Sequence, residues 1–444
     1  MKINYSTTKF VIIGAGETGK SILNYLRNRN ACILRVLDTR DNPPQNESYQ
    51  VIGGALNYAN LADADIIAIS PGVSIYEPAL QQAIHSGKQI VGDIELFARE
   101  ISDWQSKVIG ITGSNGKTTV TSLTGFLAEH SGIKTLVAGN IGTQVLDALL
   151  ECEKQNSYPE LIVLELSSFQ LETLTSMNFA SATVLNISED HLDRYRDLLE
   201  YAYVKAHIFN RCQHQVLNIE DPLVLAMARH GLAQSYFGDK QGNYHLTDAA
   251  DPILQIDGAA YLKSSELQLV GRHNYLNVLA SLALLAGAGY DLAQFKTGCI
   301  QFAGLEHRMQ KVTEHNGILY IEDSKGTNVG AVIAGVGGID RPVHLILGGD
   351  GKGQDFAPLR ELVLKKCKSV AVIGQDKDAI LMSLAGIDNV SGYVSLEDAV
   401  AACIKNASFG DAVILSPACA SWDMFTNYKH RAQVFVDSIY AHIH

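Results

Sequence analysis

Short apolar runs recur along the chain. Each is closed by a glycine or a small polar turn and followed by a stretch of helical character. The runs are KFVIIGAG, ILRVLD, DIIAISPG, KVIGITG, LIVLELSS, ATVLNIS, HLILGG, SVAVIG and AVILSP. None alternates strictly between apolar and polar positions. Strands covered by helices on both faces read this way, because neither face meets water. Helices are predicted between them over 21–29, 78–86, 117–130 and 277–288. The pattern predicts an α/β fold with mostly parallel sheets. One stretch, 236–270, is instead polar, alternating and turn-rich, and predicts a small antiparallel sheet beside the parallel one. Two polar seams, DWQSK at 103–107 and FAGLEHRM at 302–309, divide the chain into segments 1–104, 105–303 and 304–444. Each has the size of a domain.

Composition narrows the class. With 444 residues, 47% hydrophobic and 18% charged, the chain has the make-up of a globular protein with several cores, not of a disordered or fibrous one. A net charge of -12 argues against nucleic acid as a partner. The longest apolar stretch, near 278–289, is too short to span a bilayer, and the N-terminal run enters a glycine turn as a strand would. Seven scattered cysteines without a C-x-x-C pair fit reduced thiols in a cytoplasm. The acidic charge and the lack of an apolar seam point to a monomer.

The sharpest chemical motif is GITGSNGKTT at 110–119, between an apolar strand and a helix. Backbone N–H groups of such a loop wrap phosphate oxygens, and the helix start adds a favourable field. Gly113, Ser114, Asn115, Gly116, Lys117, Thr118 and Thr119 form it; Lys117 would neutralise phosphate charge and Thr118 would ligate Mg²⁺. A second glycine turn, Gly14-Ala15-Gly16-Glu17-Thr18-Gly19, follows the first strand, and Asp38 closes the next one. This is the fingerprint of a dinucleotide site, and it supports a competing nicotinamide-dependent oxidoreductase reading. Thr39 and Arg40 add a hydroxyl and a cation beside it. A nucleotide switch without catalysis is a third reading.

Other polar groups stand at strand ends, where ligands of open α/β sheets bind. Glu165 closes the strand of LELSSFQLE, and Glu189, Asp190, His191 and Asp193 follow the strand of LNISEDHLDRY. Thr118, Glu165 and His191 could converge on one metal–phosphate site. Asn274 and Asn277 lie three apart on one helical face, as suits a purine edge or an ordinary polar helix start. EDSKGTN, GGDGKGQDF and SPACASWDMFTNY bring Lys325, Lys352, Ser421 and Tyr428 to strand ends of the last segment, a set that suits a small substrate with carboxylates.

The order GITGSNGKTT, LELSSFQLE, NISEDHLDRY, GRHNYLNVLA, LEHR, EDSKGTN, GGDGKG, SPACASWDMF resembles the Mur ligases of bacterial cell-wall synthesis over about residues 10–431. The resemblance implies a Rossmann-like first domain that binds a UDP-sugar rather than NAD. It implies a central P-loop-type ATPase domain and a Rossmann-like last domain for an amino acid. It implies ATP-driven addition of D-glutamate to UDP-N-acetylmuramoyl-L-alanine in the cytoplasm, with Mg²⁺ (or Mn²⁺) at two sites. Under it, Lys117, Glu165, His191 and Lys205 are catalytic, and Thr118, Glu165, His191 and Lys205 hold metal, Lys205 after carbamylation by CO₂. Asn274, Asn277, Arg308 and Asp323 join the ATP loop. Thr18, Thr39, Arg40, Gly72 and Asn140 meet the UDP-sugar, and Lys325, Thr327, Lys352, Ser421 and Tyr428 meet D-glutamate. The chain departs from the family pattern in a 191–205 loop one residue shorter, in Tyr428 for Phe, in Gly326 for Ala and in HRA at 430–432 for an RG pair. No charged catalytic group is removed.

Overall fold

The computed structural model describes residues 3–45, 49–191 and 194–443. Asp193 lies outside them. The first sheet holds β1 (Lys9–Ile13), β2 (Cys32–Asp38), β3 (Val51–Gly53), β4 (Ile66–Ile69) and β5 (Gln89–Val91) in the order β3-β2-β1-β4-β5. All its pairs are parallel. The continuous apolar runs of β1 and β4 are buried, as two-sided helix cover requires. Strand order reverses between β1 and β4, so their following loops part and leave a crevice at the carboxyl edge.

The second sheet contains β6 (Lys107–Thr112), β7 (Thr135–Gly139), β8 (Leu161–Glu165), β9 (Ser181–Val184), β10 (His214–Asn218), β11 (Ala233–Gly238), β12 (Tyr244–Leu246), β13 (Ile253–Ile256) and β14 (Ala259–Lys263). Its order is β14-β13-β12-β11-β10-β9-β6-β8-β7. Pairing is parallel from β7 across to β12, and β13 then runs antiparallel to β12. The polar 236–270 stretch therefore extends the parallel sheet instead of forming one of its own. It covers the open edge that β11 would otherwise present. Because β6 lies between β8 and β9, the phosphate-type loop after β6 is flanked by the ends of both.

The third sheet holds β15 (Gln310–His315), β16 (Ile318–Glu322), β17 (Val343–Gly348), β18 (Cys367–Ile373), β19 (Val390–Gly392) and β20 (Ala412–Leu415) in the order β15-β16-β20-β17-β18-β19. It is parallel except for β15 on β16. Helices Glu17–Asn28, Pro78–His85, Lys117–His130 and Arg272–Gly287 occupy the four predicted stretches. The first and last begin earlier than predicted, because their first turns carry polar side chains that hide the apolar period.

Two compact units result. One comprises Met1–Asp248, Leu254–Tyr261 and Val278–Cys299; the other comprises Ala249–Ile253, Leu262–Asn277 and Ile300–His444. The first two sheets thus belong to one unit, joined by the helix Asp93–Glu100 of GDIELFARE. Glu95 is buried and its carboxylate accepts the N–H groups of Thr175 (2.8 Å) and Ser176 (2.9 Å). A methyl on Gly92 would meet Thr173 Oγ1 at 2.6 Å, so this helix start must be glycine-led. Arg29 bridges Glu100 and Glu153 across the same joint. No helix among the described residues is long and apolar enough to cross a membrane.

Candidate active site

The crevice predicted by the β1/β4 reversal is a cavity of about 530 Å³. Thr18, Thr39, Arg40, Gly72 and Asn140, the five residues expected at a UDP-sugar, all line it. The glycines of the first turn do separate jobs. Gly14 has φ +101°, and a methyl there would press on Ser70 Oγ at 2.5 Å. One on Gly19 would strike the Gly14 carbonyl at 1.8 Å, so helix and strand could not approach. A methyl on Gly16 would meet no protein atom within 4 Å, so it would occupy space in the cavity wall that a ligand can approach. The middle segment supplies the far wall: Thr18 Oγ1 donates to Gln144 Oε1 at 3.2 Å.

Asp38 separates two readings of this cavity. Its Oδ2 accepts the Ala15 N–H (2.8 Å) and an Arg40 guanidinium N–H (2.7 Å); its Oδ1 accepts Arg40 Nε–H (2.7 Å) and the Arg40 backbone N–H (3.0 Å). The guanidinium beside it holds the carboxyl well below the usual carboxylate range. Its acceptor positions are filled by the loop, which leaves little to grip a ribose hydroxyl, the role a nicotinamide site asks of this acid. Arg40 is not a free surface charge, since it is forked onto Asp38.

The second site opens at the end of β6. Gly116 caps the helix Lys117–His130 in the left-handed region (φ +84°). Residues after β9 fix the loop: Ser114 N–H donates to the Asn186 carbonyl (2.9 Å), Asn115 N–H to Asn186 Oδ1 (2.8 Å), and Ser188 N–H to Ser114 Oγ (2.9 Å). Lys117 Nζ donates to the carbonyls of Gly113 (2.7 Å) and Ser114 (2.8 Å). Thr118 and Thr119 occupy the first turn behind it. Lys205, at the end of helix Leu198–Lys205, reaches the same Gly113 carbonyl at 3.0 Å and Thr112 Oγ1 at 3.2 Å. It is 1% exposed, where most lysines on such helices are solvated. Burial, with Lys117 nearby, pushes its pKa well below that of an ordinary lysine.

Glu165 ends β8 and is buried. Its Oε1 accepts Asn140 Nδ2–H at 2.9 Å, while Oε2 has no hydrogen-bond partner among the described residues. Asn140 also lines the cavity, so one amide joins the two sites. His191 sits at φ +54°, 4.7 Å in ring distance from Phe169. Tyr201 holds the cluster together: its ring lies 6.4 Å from that of His191 and 4.7 Å from Lys205 Nζ, and its hydroxyl is 3.4 Å from Ser114 Oγ. Among the described residues, no three His, Cys, Asp or Glu side chains gather as a ready-made metal cage. A hard cation here would draw instead on a mixed set: the orphaned Glu165 oxygen, the Thr118 hydroxyl, His191 and a modified Lys205. An unpartnered buried carboxylate oxygen fits such an ion.

The second unit carries the remaining candidates. Asn274 is buried and donates to the Val270 carbonyl (2.8 Å), and Asn277 donates to Asn274 Oδ1 (3.3 Å). Arg308 lies beside His307, whose Nδ1 is 2.8 Å from Glu322 Oε2. Asp323 accepts from Ser416 Oγ (2.6 Å) and Met309 N–H (3.1 Å), and burial pushes its carboxyl up to about 7. A methyl on Gly326 would meet Asp323 Oδ2 at 2.4 Å, so the expected Ala would crowd this acid. Lys325 Nζ stands 4.0 Å above the Tyr428 ring, so Tyr in place of Phe keeps the π face. Thr327 follows on the same loop. Lys352, at φ +53°, is exposed after β17, and Ser421 is buried after β20. Arg431, from HRA, is fully buried and donates to the carbonyls of Ser324, Cys419 and Ala420, tying two of these loops together.

Sequence reasoning missed Asn186, Tyr201, Phe169, Gln144 and Arg431. A signal existed for Tyr201, which precedes Lys205 by one helical turn. None existed for Gln144, which only the packing of the first two sheets brings to the cavity.

A glycine loop between strand and helix, close to a polar cavity at a sheet's carboxyl edge, has the make-up of an α/β nucleotide-binding protein. Comparison with known proteins makes the class specific. Three family models match in order: Mur ligase MurD-like, N-terminal domain over residues 8–92, Mur ligase middle domain over 111–285, and Mur ligase, glutamate ligase domain over 307–419. The UDP-N-acetylmuramoylalanine--D-glutamate ligase of Chromobacterium violaceum is 45% identical over 99% of this chain and 99% of its own. That of Methylobacillus flagellatus is 44% identical over 97% and 96%. Among solved structures, a MurF from Acinetobacter baumannii shares the fold (TM-score 0.63, 16% identity, 97% of this chain and 90% of that one). So does a pseudomurein peptide ligase type C from Methanothermus fervidus (TM-score 0.60, 18% identity, 98% and 100%). The chain belongs to the Mur ligase family, and it is a ligase.

Proposed function

We propose that the chain joins D-glutamate to UDP-N-acetylmuramoyl-L-alanine at the expense of ATP, as a monomer, in the cytoplasmic synthesis of peptidoglycan precursors. The observation that carries this reading is the 45% identity, across nearly the whole length of both chains, with a ligase of that name. The three segments 1–104, 105–303 and 304–444 then act as UDP-sugar, ATP and amino-acid domains.

A carboxylate is a poor acyl donor, so it must first gain a leaving group. The alanyl carboxylate oxygen attacks the γ-phosphorus of ATP, the bond to the bridging oxygen breaks, and ADP departs. The amine of D-glutamate then attacks the acyl carbon, inorganic phosphate leaves with the electron pair, and the nitrogen loses its proton. Two anions must meet in the first step, so the protein's task is positioning and charge neutralisation. The loop Gly113–Gly116 and Lys117 hold the phosphates, with Thr119 closing the first helical turn. Asn274, Asn277, Arg308 and Asp323 hold the rest of ATP. Thr18, Thr39, Arg40, Gly72 and Asn140 hold the UDP-sugar; Lys325, Thr327, Lys352, Ser421 and Tyr428 hold D-glutamate. Thr118, Glu165, His191 and carbamylated Lys205 would hold Mg²⁺, which supplies charge neutralisation at the transferring phosphoryl group.

The test is phosphate release from ATP with Mg²⁺ and UDP-N-acetylmuramoyl-L-alanine, across D-glutamate, L-glutamate, L-lysine, meso-diaminopimelate and D-alanyl-D-alanine. Release that requires both the sugar nucleotide and D-glutamate is expected. Release with another acceptor corrects the substrate, and no stimulated release sinks the reading. The cavity has its own check. Gly16→Ala is expected to leave the melting temperature unchanged, since the new methyl meets no protein atom. It should weaken UDP binding by about tenfold, or 1.4 kcal/mol, by filling the wall the ligand approaches. Unchanged UDP affinity would place the ligand elsewhere.

A further inference from the structure

Arg194 is absorbed by neither the phosphate loop nor the cavity, yet it touches the frame of both. Its side chain is 9% exposed, and its guanidinium is forked onto Glu172, itself 1% exposed. The other guanidinium N–H groups donate to the carbonyls of Pro71 (3.1 Å) and Val73 (3.1 Å), the residues on either side of Gly72 in the cavity wall. The carbon of the same guanidinium lies 4.1 Å over the ring centre of Phe169. Phe169 is the ring against which His191 packs. Tyr195 closes the set by donating to Glu172 Oε1 at 2.8 Å. One cation therefore holds the Gly72 loop through its N–H groups and stands over Phe169, the ring that supports His191. A lysine ammonium cannot make this fork and reach both carbonyls at once.

We propose that Arg194 is a positioning residue that couples occupancy of the cavity to the phosphate site. A ligand that settles against Gly72 fixes the Pro71 and Val73 carbonyls, these fix the guanidinium, and the guanidinium fixes Phe169 and hence His191. The coupling makes the phosphate site best ordered when the cavity is filled, which restrains wasteful hydrolysis of ATP. This rests on the nucleotide reading of the two sites given above.

The experiment is calorimetric titration of the full chain with UDP, with Mg²⁺–ADP, and with each in the presence of saturating amounts of the other. For the unaltered chain, UDP is expected to tighten Mg²⁺–ADP binding by about fivefold, and Mg²⁺–ADP to tighten UDP by the same factor, as linkage demands. Phe169→Leu, which leaves Arg194 on Glu172 and the cavity wall intact, should keep UDP affinity alone and bring the coupling factor close to one. Arg194→Lys should weaken UDP and lose the coupling together. A merely structural Phe169 would lower the melting temperature and leave the coupling factor in place. Unaltered coupling in folded Phe169→Leu, or no coupling in the parent chain when both ligands bind, overturns the proposal. No UDP binding at all would remove the reading of the cavity and this proposal with it.

Discussion

Lys205→Ala is expected to lower ATP-dependent amide formation by at least about 10²-fold, the scale set by losing one group that stabilises developing charge. The reason lies in where the amine is held. Burial and the neighbouring Lys117 favour its uncharged form. Only an uncharged amine attacks CO₂: the nitrogen lone pair forms the N–C bond, a C–O electron pair moves to oxygen, and one proton leaves. The product carries negative charge on hard oxygen next to the Gly113 carbonyl, in place of a cation that would compete with Mg²⁺. Bicarbonate should not restore Lys205→Ala, whereas acetate or formate should restore part of the activity by supplying the missing carboxylate. Lys205→Arg keeps a cation in the pocket but cannot form the carbamate, and is expected to be as inactive as the alanine variant. In the unaltered protein, ¹³CO₂ should give a carbamate carbon signal that Lys205→Arg lacks. Full activity in Lys205→Arg would refute the role.

The buried position of Lys205 was invisible in sequence, and the reason is physical. Its helix, LLEYAYVK, is apolar almost all round, so periodicity does not say which face is covered. Strands such as β1, β4, β6, β8, β17 and β20 were legible because burial on both faces leaves no polar position to break the run, whereas β7 and β10, with polar residues at their ends, were not. Gly14, Gly16 and Gly19 were legible as a strand-to-helix turn; Gly14 and Gly19 leave no room for a side chain, whereas Gly16 lines the cavity and meets no protein atom. Asp38 was legible as an acid at a strand end but not as one saturated by Ala15 and Arg40, because hydrogen bonds of loop backbone leave no mark on composition. The antiparallel tail of the central sheet was legible as a change of pattern. Its continuity with the parallel strands depends on edge pairing, which local sequence does not encode. The joint between the first two sheets was the least legible part, since Glu95, Thr175 and Ser176 are far apart in the chain and meet only in the fold.

Glu165→Gln is expected to reduce turnover by about 10²-fold or more and to remove most of the stabilisation by Mg²⁺. The wild-type side chain holds one oxygen on Asn140 and leaves the other buried without a donor. An unmet buried carboxylate oxygen destabilises a fold by at least about 1–3 kcal/mol, so a cation that meets it is the simplest account of its presence. Glutamine has the same shape, and its carbonyl can still accept from Asn140, so the cavity wall and UDP affinity should stay as they are. What disappears is the charge. With ADP present, Mg²⁺ at a hundred times its dissociation constant should stabilise the unaltered protein by about 2.7 kcal/mol, and Glu165→Gln should lose most of that gain. Denaturant titration with and without Mg²⁺ reads the difference independently of catalysis. Equal Mg²⁺-dependent stabilisation in both proteins would mean that Glu165 is not a ligand, and the orphaned oxygen would then have to be explained by packing alone.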